Sequence, residues 1–283
     1  MDFKDGMNFG PAGKFYRRSD STWVKRFRCR RCRKSFSDAT FHSAYRQKKR
    51  NKNLILRVLL ASGMSQRRCA KVLHLSRVTV VRKFLFLALE AEFFVRKLNF
   101  SWPKAHTVEF DDLETFEHSK MKPLSVTLAV EHDSRRILGI EVSRMAAKGL
   151  LAKRSLKKYG PRVDERAEAR ERLFNWIKPI VTERPVFKSD MNPHYEGVVK
   201  RHFPNSLHLR YKGRRGSSTG QGEIKEVRFD PIFSLNQTCA MLRANINRLF
   251  RKTWCTTKRS DRLYRHLMLY AQYHNEELIR QLS

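Results

Sequence analysis

FDPIFSLNQTCAMLRANINRLFRKTWCTTK, residues 229–258, reads as one long helix with a polar group, Asn236, near its start. Arg243 follows about two helical turns later, and Arg248, Arg251 and Lys252 come after it. An oxygen donor beside a row of cations suits chemistry on a phosphate backbone. Hard cations take oxygen ligands, and arginines take the phosphates. Two aspartates upstream fit the same pattern. Asp111 lies in VEFDDLETF (108–116) and Asp190 in VFKSDMNPHY (186–195), each at the end of a strand-like run.

The elements between these landmarks give the fold class. HTVEFDDL (106–113) is a short strand. KPLSVTLAVEHD (122–133) and RRILGIEVS (135–143) are two more, expected as antiparallel neighbours. The basic run 146–162 is a loop or broken helix. Residues 164–183 form a helix with an apolar stripe at Leu173, Phe174, Trp176, Ile177 and Ile180. PVFKSD (185–190) is a strand and EGVVKRHF (196–203) a short helix. A strand, a strand hairpin, a helix, a strand and then helices is the order of the α/β RNase H-like fold. Its site lies where the first strand and the later strand run side by side, so Asp111 and Asp190 would share one or two divalent cations. Glu223, Glu226, Asp230 and Asn236 are the candidate third oxygen ligands. A carboxylate is favoured by charge alone, and Asn236 by its place on a helix.

The chain has 283 residues, enough for more than one domain, and 41% hydrophobic residues, enough for a core. Its net charge of +33 points to a polyanion, nucleic acid first. Residues 1–105 hold 26 Lys+Arg against 6 Asp+Glu, or +20 of that total. No apolar run approaches the ~20 residues that span a bilayer, and MDFKDGMNFG lacks the plan of a signal peptide. Five cysteines, an odd number without a secretion signal, indicate a reducing compartment. The expectation is a cytoplasmic, nucleoid-associated protein without a membrane partner.

Three segments are expected. Residues 1–45 are rich in Gly, Arg and aromatics, and WVKRFRCRRCRKSFSDAT (23–40) looks like a strand pair around a Cys-x-x-Cys knuckle, Cys29 and Cys32. Such a knuckle is half of a four-cysteine zinc site. No second pair precedes it, His42 is the nearest further ligand, and a metal-free remnant is the alternative. Residues 46–98 read as a helix-turn-helix domain. Helix 52–62 ends at Gly63, Ser65 caps QRRCAKVL, and Ser76 caps RVTVVRKFLFLALEA. Leu75 and Val80 would fill the core of the motif, and Arg77, Thr79, Arg82 and Lys83 would face the major groove of double-stranded DNA. NFSWPKAH (99–106) is a linker, and residues 104–283 form the catalytic domain. Within it the glycine-rich loop 211–223, with Arg214 and Arg215, lacks the ending of a P-loop and reads as a phosphate contact.

The chain resembles the transposases of bacterial insertion sequences, in the family with a zinc ribbon, a helix-turn-helix and a DDE-type catalytic domain. The resemblance is densest in 110–152, in YKGRRG (211–216) and in 229–258. In this family the third acidic residue is often asparagine, with a basic residue seven positions on, as at Asn236 and Arg243. The resemblance implies Asp111, Asp190 and Asn236 as ligands of Mg²⁺ or Mn²⁺, and Arg243 as a contact to the DNA ends. It implies binding of terminal inverted repeats and of target DNA, strand cleavage and strand transfer, and homo-oligomers on DNA. The family's first Cys pair has no counterpart here, so 1–45 is read as a truncated ribbon. The family tends to Asp-Glu where this chain has Asp111-Asp112, which leaves both aspartates open. Two other readings stand beside the transposase: an inactive remnant that still binds DNA, and an RNase H-like nuclease or resolvase.

Overall fold

The computed structural model describes residues 8–212, 230–250 and 253–279. The chain divides into two compact units, residues 1–56 and 57–283.

The first unit carries a three-stranded antiparallel sheet in the order β1 (Phe9–Arg17), β2 (Thr22–Cys29), β3 (Ser35–Ser37). The expected strand pair around the knuckle is β2 and β3, with Phe27 opposite Phe36. The strand β1 was not legible in the sequence. Phe9, Phe27 and Phe36 make a small aromatic core, with ring centroids 5.2 to 5.9 Å apart. Asp20, at the β1–β2 turn, is held by the Arg17 guanidinium at 2.6 Å.

The helix α1 (Lys52–Ala61) straddles the division. The second unit continues with α2 (Gln66–Val72) and α3 (Arg77–Ser101). Both expected caps are made: Ser65 accepts from the Arg68 N–H and Ser76 from the Thr79 N–H. His74 takes the left-handed turn conformation at φ +53°, a position that glycine would fill more easily. Leu75 and Val80 are buried as expected. α3 extends through most of the expected linker and stops just before Pro103.

A five-stranded mixed sheet follows, in the order β6-β5-β4-β7-β8. β4 (Ala105–Phe116), β5 (Pro123–Glu131) and β6 (Ile137–Arg144) form an antiparallel meander, while β7 (Val181–Asp190) runs parallel to β4 and β8 (Leu207–Tyr211) parallel to β7. Between β6 and β7 come α4 (Leu151–Tyr159) and α5 (Arg166–Ile177), and α6 (Pro193–His202) lies between β7 and β8. The stripe expected on α5 is buried. Phe110, Phe174, Phe187, Tyr195 and Phe203 pack as one aromatic cluster between α5, α6 and the sheet. The edge strand β6 would expose unpaired backbone groups. Two buried amides cover it: Asn99 donates to the Ile137 and Leu138 carbonyls, and Asn275 both donates to and accepts from Ile137.

The long helix expected over 229–258 is two shorter elements. α7 (Phe233–Asn245) ends where Ile246 turns extended, and a 3₁₀ turn, Asn247–Leu249, follows. Arg248 leaves the expected basic face and packs over Phe84 of α3, 5.8 Å from the ring centre. α8 (Ser260–Tyr273) then lies along α3, with His266 edge-on to Phe84. No helix among the described residues is long and apolar enough to cross a membrane.

Two buried histidines close this unit. His266 Nε2 donates to the Leu60 carbonyl and His274 Nε2 to the Arg135 carbonyl. Burial pushes each down to about 4. Unfolded, both regain the ordinary value near 6.5. The unfolded chain therefore binds more protons between pH 6.5 and 4, and stability falls as pH drops through that window. Each histidine contributes a loss on the order of 3 kcal/mol by pH 4. Urea titrations at stepped pH should show the loss. Replacing both histidines with glutamine should flatten it, and an unchanged slope in that variant would place the acid sensitivity elsewhere.

Candidate active site

Asp111 and Asp190 sit on the two central parallel strands. β4 and β7 pair with Glu109 opposite Lys188, and both aspartates lie two residues further along. Asp111 is within β4 and not at its end, because the strand runs on to Phe116. Asp190 is the last residue of β7. Burial raises the Asp111 carboxyl to about 6, and the neighbouring Asp190 charge adds to the rise. The Asp112 N–H and the Tyr195 hydroxyl donate to Asp111 at 2.7 and 2.9 Å and oppose it. Among the described residues neither Asp111 nor Asp190 forms a salt bridge.

Strand alternation separates Asp111 from Asp112. Asp112 turns to the α5 side, where Arg170 holds one oxygen at 3.0 Å and the Thr127 hydroxyl donates to the other. A carboxylate with both oxygens engaged is a poor metal ligand. At Asp111 both hydrogen bonds fall on one oxygen, Oδ1.

On the opposite side α7 packs over β4 and β5. Asn236 is its fourth residue and exposed, so it is not the helix cap. Its amide nitrogen donates to Asp230 at 2.8 Å, and the amide oxygen is the atom left for a cation. Asp230 also accepts from the Ile232 N–H. Arg243 shares the exposed stripe of α7 with Asn236, Ala240 and Ala244. The stripe leads into a cleft of about 320 Å³ bounded by Leu113, Thr115, Arg243 and Leu249. Cys239, between these positions, feels both Asp111 and Arg243. Burial pushes its thiol to about 12, which makes it inert.

A second cluster lies one step inward. Glu109 is fully buried, and one carboxylate oxygen accepts from the Leu235 N–H of α7 at 2.7 Å. Its other oxygen pairs with His132 Nδ1, and His132 Nε2 faces Lys188 Nζ at 2.9 Å. Burial raises the Glu109 carboxyl, against the Leu235 and His132 hydrogen bonds. Sequence reasoning missed Glu109, His132, Lys188, Tyr195 and Arg170. The available signal was spacing: Glu109 and Lys188 each stand two residues before an aspartate and so share its face.

The other expected site residues are scattered. Arg77 and Arg82 are exposed on α3, and Thr79 is half-buried with its hydroxyl on Ser76. Lys83 is a correction: it is only 5% exposed, between Val80 and Phe84 on the core side of α3, and burial lowers its ammonium pKa. A groove-facing role does not fit that burial. Cys29 and Cys32 come together, with the Cys32 N–H and thiol and the Arg31 N–H holding the Cys29 thiol below its usual value. His42 Nδ1 is occupied by the Ala44 N–H. Among the described residues no group of three His, Cys, Asp or Glu side chains is placed to hold a metal; an asparagine ligand falls outside that set. Arg214, Arg215, Glu223, Glu226, Arg251 and Lys252 lie outside the described residues.

No protein-family model matches this chain, and no curated protein matches it.

Proposed function

We propose that this chain is a metal-dependent DNA transposase of the insertion-sequence type, built on an RNase H-like catalytic domain. The observation that carries the reading is the pairing of Asp111 and Asp190 on adjacent parallel strands, with the Asn236–Arg243 stripe of α7 alongside. The strand order, an antiparallel meander continued by two parallel strands, fits the same reading.

The donor set suits a hard cation. Asp111, Asp190 and the Asn236 oxygen are oxygen ligands, as Mg²⁺ and Mn²⁺ prefer. The mutual repulsion of the two carboxylates marks a place where a cation would be stabilised. Such an ion supplies activation of the attacking oxygen and stabilisation of the leaving one. Tyr195 and the Asp112 N–H orient Asp111, and Arg170 keeps Asp112 out of the ligand set. Arg243 would grip a DNA phosphate next to the cleft. The helix pair α2–α3, with Arg77 and Arg82 outward, is read as the reader of the element's ends, and the basic N-terminal third as the source of salt-sensitive affinity. The working partner is then double-stranded DNA, at the nucleoid, with subunits meeting on it.

The test is cleavage of linear duplex carrying the sequences that flank the gene, in Mg²⁺ or Mn²⁺. Strand breaks at the element's ends, and tighter binding of those ends than of random duplex at matched salt, are the expected results. Cleavage of branched DNA without preference for the ends would favour the nuclease reading. Specific binding without cleavage would favour the inactive remnant.

A further inference from the structure

The three-stranded sheet of the first unit carries an aromatic pair that its own core does not use. Tyr16 of β1 stands opposite Trp23 of β2. Their rings lie 5.4 Å apart, and Trp23 is 61% exposed. Lys14 and Lys25 are the next pair on that face, and the Lys14 ammonium sits 5.1 Å from the centre of the Trp23 ring. From residue 14 to residue 34 there are 10 Lys+Arg and one acidic residue, Asp20. Arg17 neutralises that acid.

We propose that the Tyr16–Trp23 face binds single-stranded DNA, the rings stacking on unpaired bases while Lys14 and Lys25 hold the flanking phosphates. Charge complementarity selects a polyanion. The rings then select among polyanions. A duplex offers phosphates and base edges, whereas an unpaired strand also offers base faces for stacking. An exposed aromatic pair set among cations is the composition of a strand-tracking platform. A cross-strand pair also staples a hairpin, by about 0.2–1 kcal/mol. That role needs contact between the rings but not their exposure to solvent. The choice of DNA over RNA rests on the proposed function; the single-strand preference does not.

The experiment measures binding of the full chain to a short oligothymidine and to a duplex of equal length, at one salt concentration, by fluorescence anisotropy. Trp23→Ala should weaken oligothymidine binding by about 5- to 100-fold and leave duplex binding within about twofold. Trp23→Phe keeps a stacking ring and should retain most of the affinity, which also controls for an alanine variant that folds badly. Equal weakening for both DNAs, or no weakening for either, would overturn the proposal and leave the pair as a hairpin staple. A change of oligomeric state in Trp23→Ala, seen by light scattering with oligothymidine binding intact, would show that a second copy covers this face. Oligouridine bound more tightly than oligothymidine would overturn the assignment to DNA. Wild-type cleavage of duplex ends is scored separately. If it fails while the Trp23 effect holds, the catalytic reading falls and this one stands.

Discussion

Asp111→Asn and Asp190→Asn should each abolish metal-dependent strand cleavage and leave duplex binding nearly unchanged. Asparagine keeps the shape of the side chain. At position 111 its oxygen can still accept from the Asp112 N–H and the Tyr195 hydroxyl. What is lost is the charge. In the metal-free protein that loss costs nothing, because burial and Asp190 already disfavour the ionised form of Asp111 and raise it to about 6. Above that pH the wild type holds a buried, ionised Asp111, so Asp111→Asn should melt at or above the wild-type temperature. Added Mn²⁺ should reverse the ranking. A ligand at 100 times its Kd stabilises by about 2.7 kcal/mol, and only the wild type should gain it. Asn236→Asp, which keeps an oxygen donor, should retain more cleavage than Asn236→Ala. Cleavage surviving in Asp111→Asn, or Mn²⁺ stabilising both aspartate variants as it does the wild type, would remove these residues from the metal site.

Much of this arrangement was legible because it is local. Apolar runs bounded by polar turns marked β4 to β7, and Ser65 and Ser76 announced two helix starts that the hydrogen bonds bear out. The stop of α7 was not legible. Leu242, Ile246 and Leu249 keep a helical spacing and stay buried through the break, so the periodicity continues where the helix does not. No glycine or proline marks the end, since Ile246 supplies the extended residue itself. β8 escaped because LHLRY is half-exposed at the sheet edge and lacks an apolar run. Lys83 was misread because basic residues on a helix read as facing DNA invite an outward reading, whereas the turn of α3 carrying Val80 and Phe84 takes it inward. The pairing of Asp111 with Asp190 was expected from element order. The Glu109 cluster was not, because its members come from β4, β7, α7 and the chain just after β5. Only the assembled sheet brings them together.

Glu109→Ala should be the most destabilising single change in this site. The carboxylate joins three parts. It accepts the Leu235 N–H of α7, it pairs with His132, and through His132 it faces Lys188 of β7. The contacts fix the tautomer: Lys188 donates to Nε2, so Nδ1 carries the proton toward Glu109. Alanine would leave the Leu235 N–H buried without an acceptor, which costs about 1–3 kcal/mol. It would also leave the Lys188 charge without its counter-ion, and breaking a buried pair costs about 3–5 kcal/mol. Lys188 and His132 are only partly buried, so the lower end of each range applies and a total of about 4 kcal/mol is expected. Glu109→Gln keeps an acceptor for Leu235 and loses only the charge, so about 1 kcal/mol is expected. Denaturant unfolding gives both numbers. Native-state hydrogen exchange then separates position from stability. Leu235 is the neighbour of Asn236, so in Glu109→Ala the amides of the first turn of α7 should lose protection beyond the global loss, while those of β5 should not. Intact protection at Leu235, or a cost below about 1 kcal/mol for alanine, would mean that Glu109 does not set the position of α7.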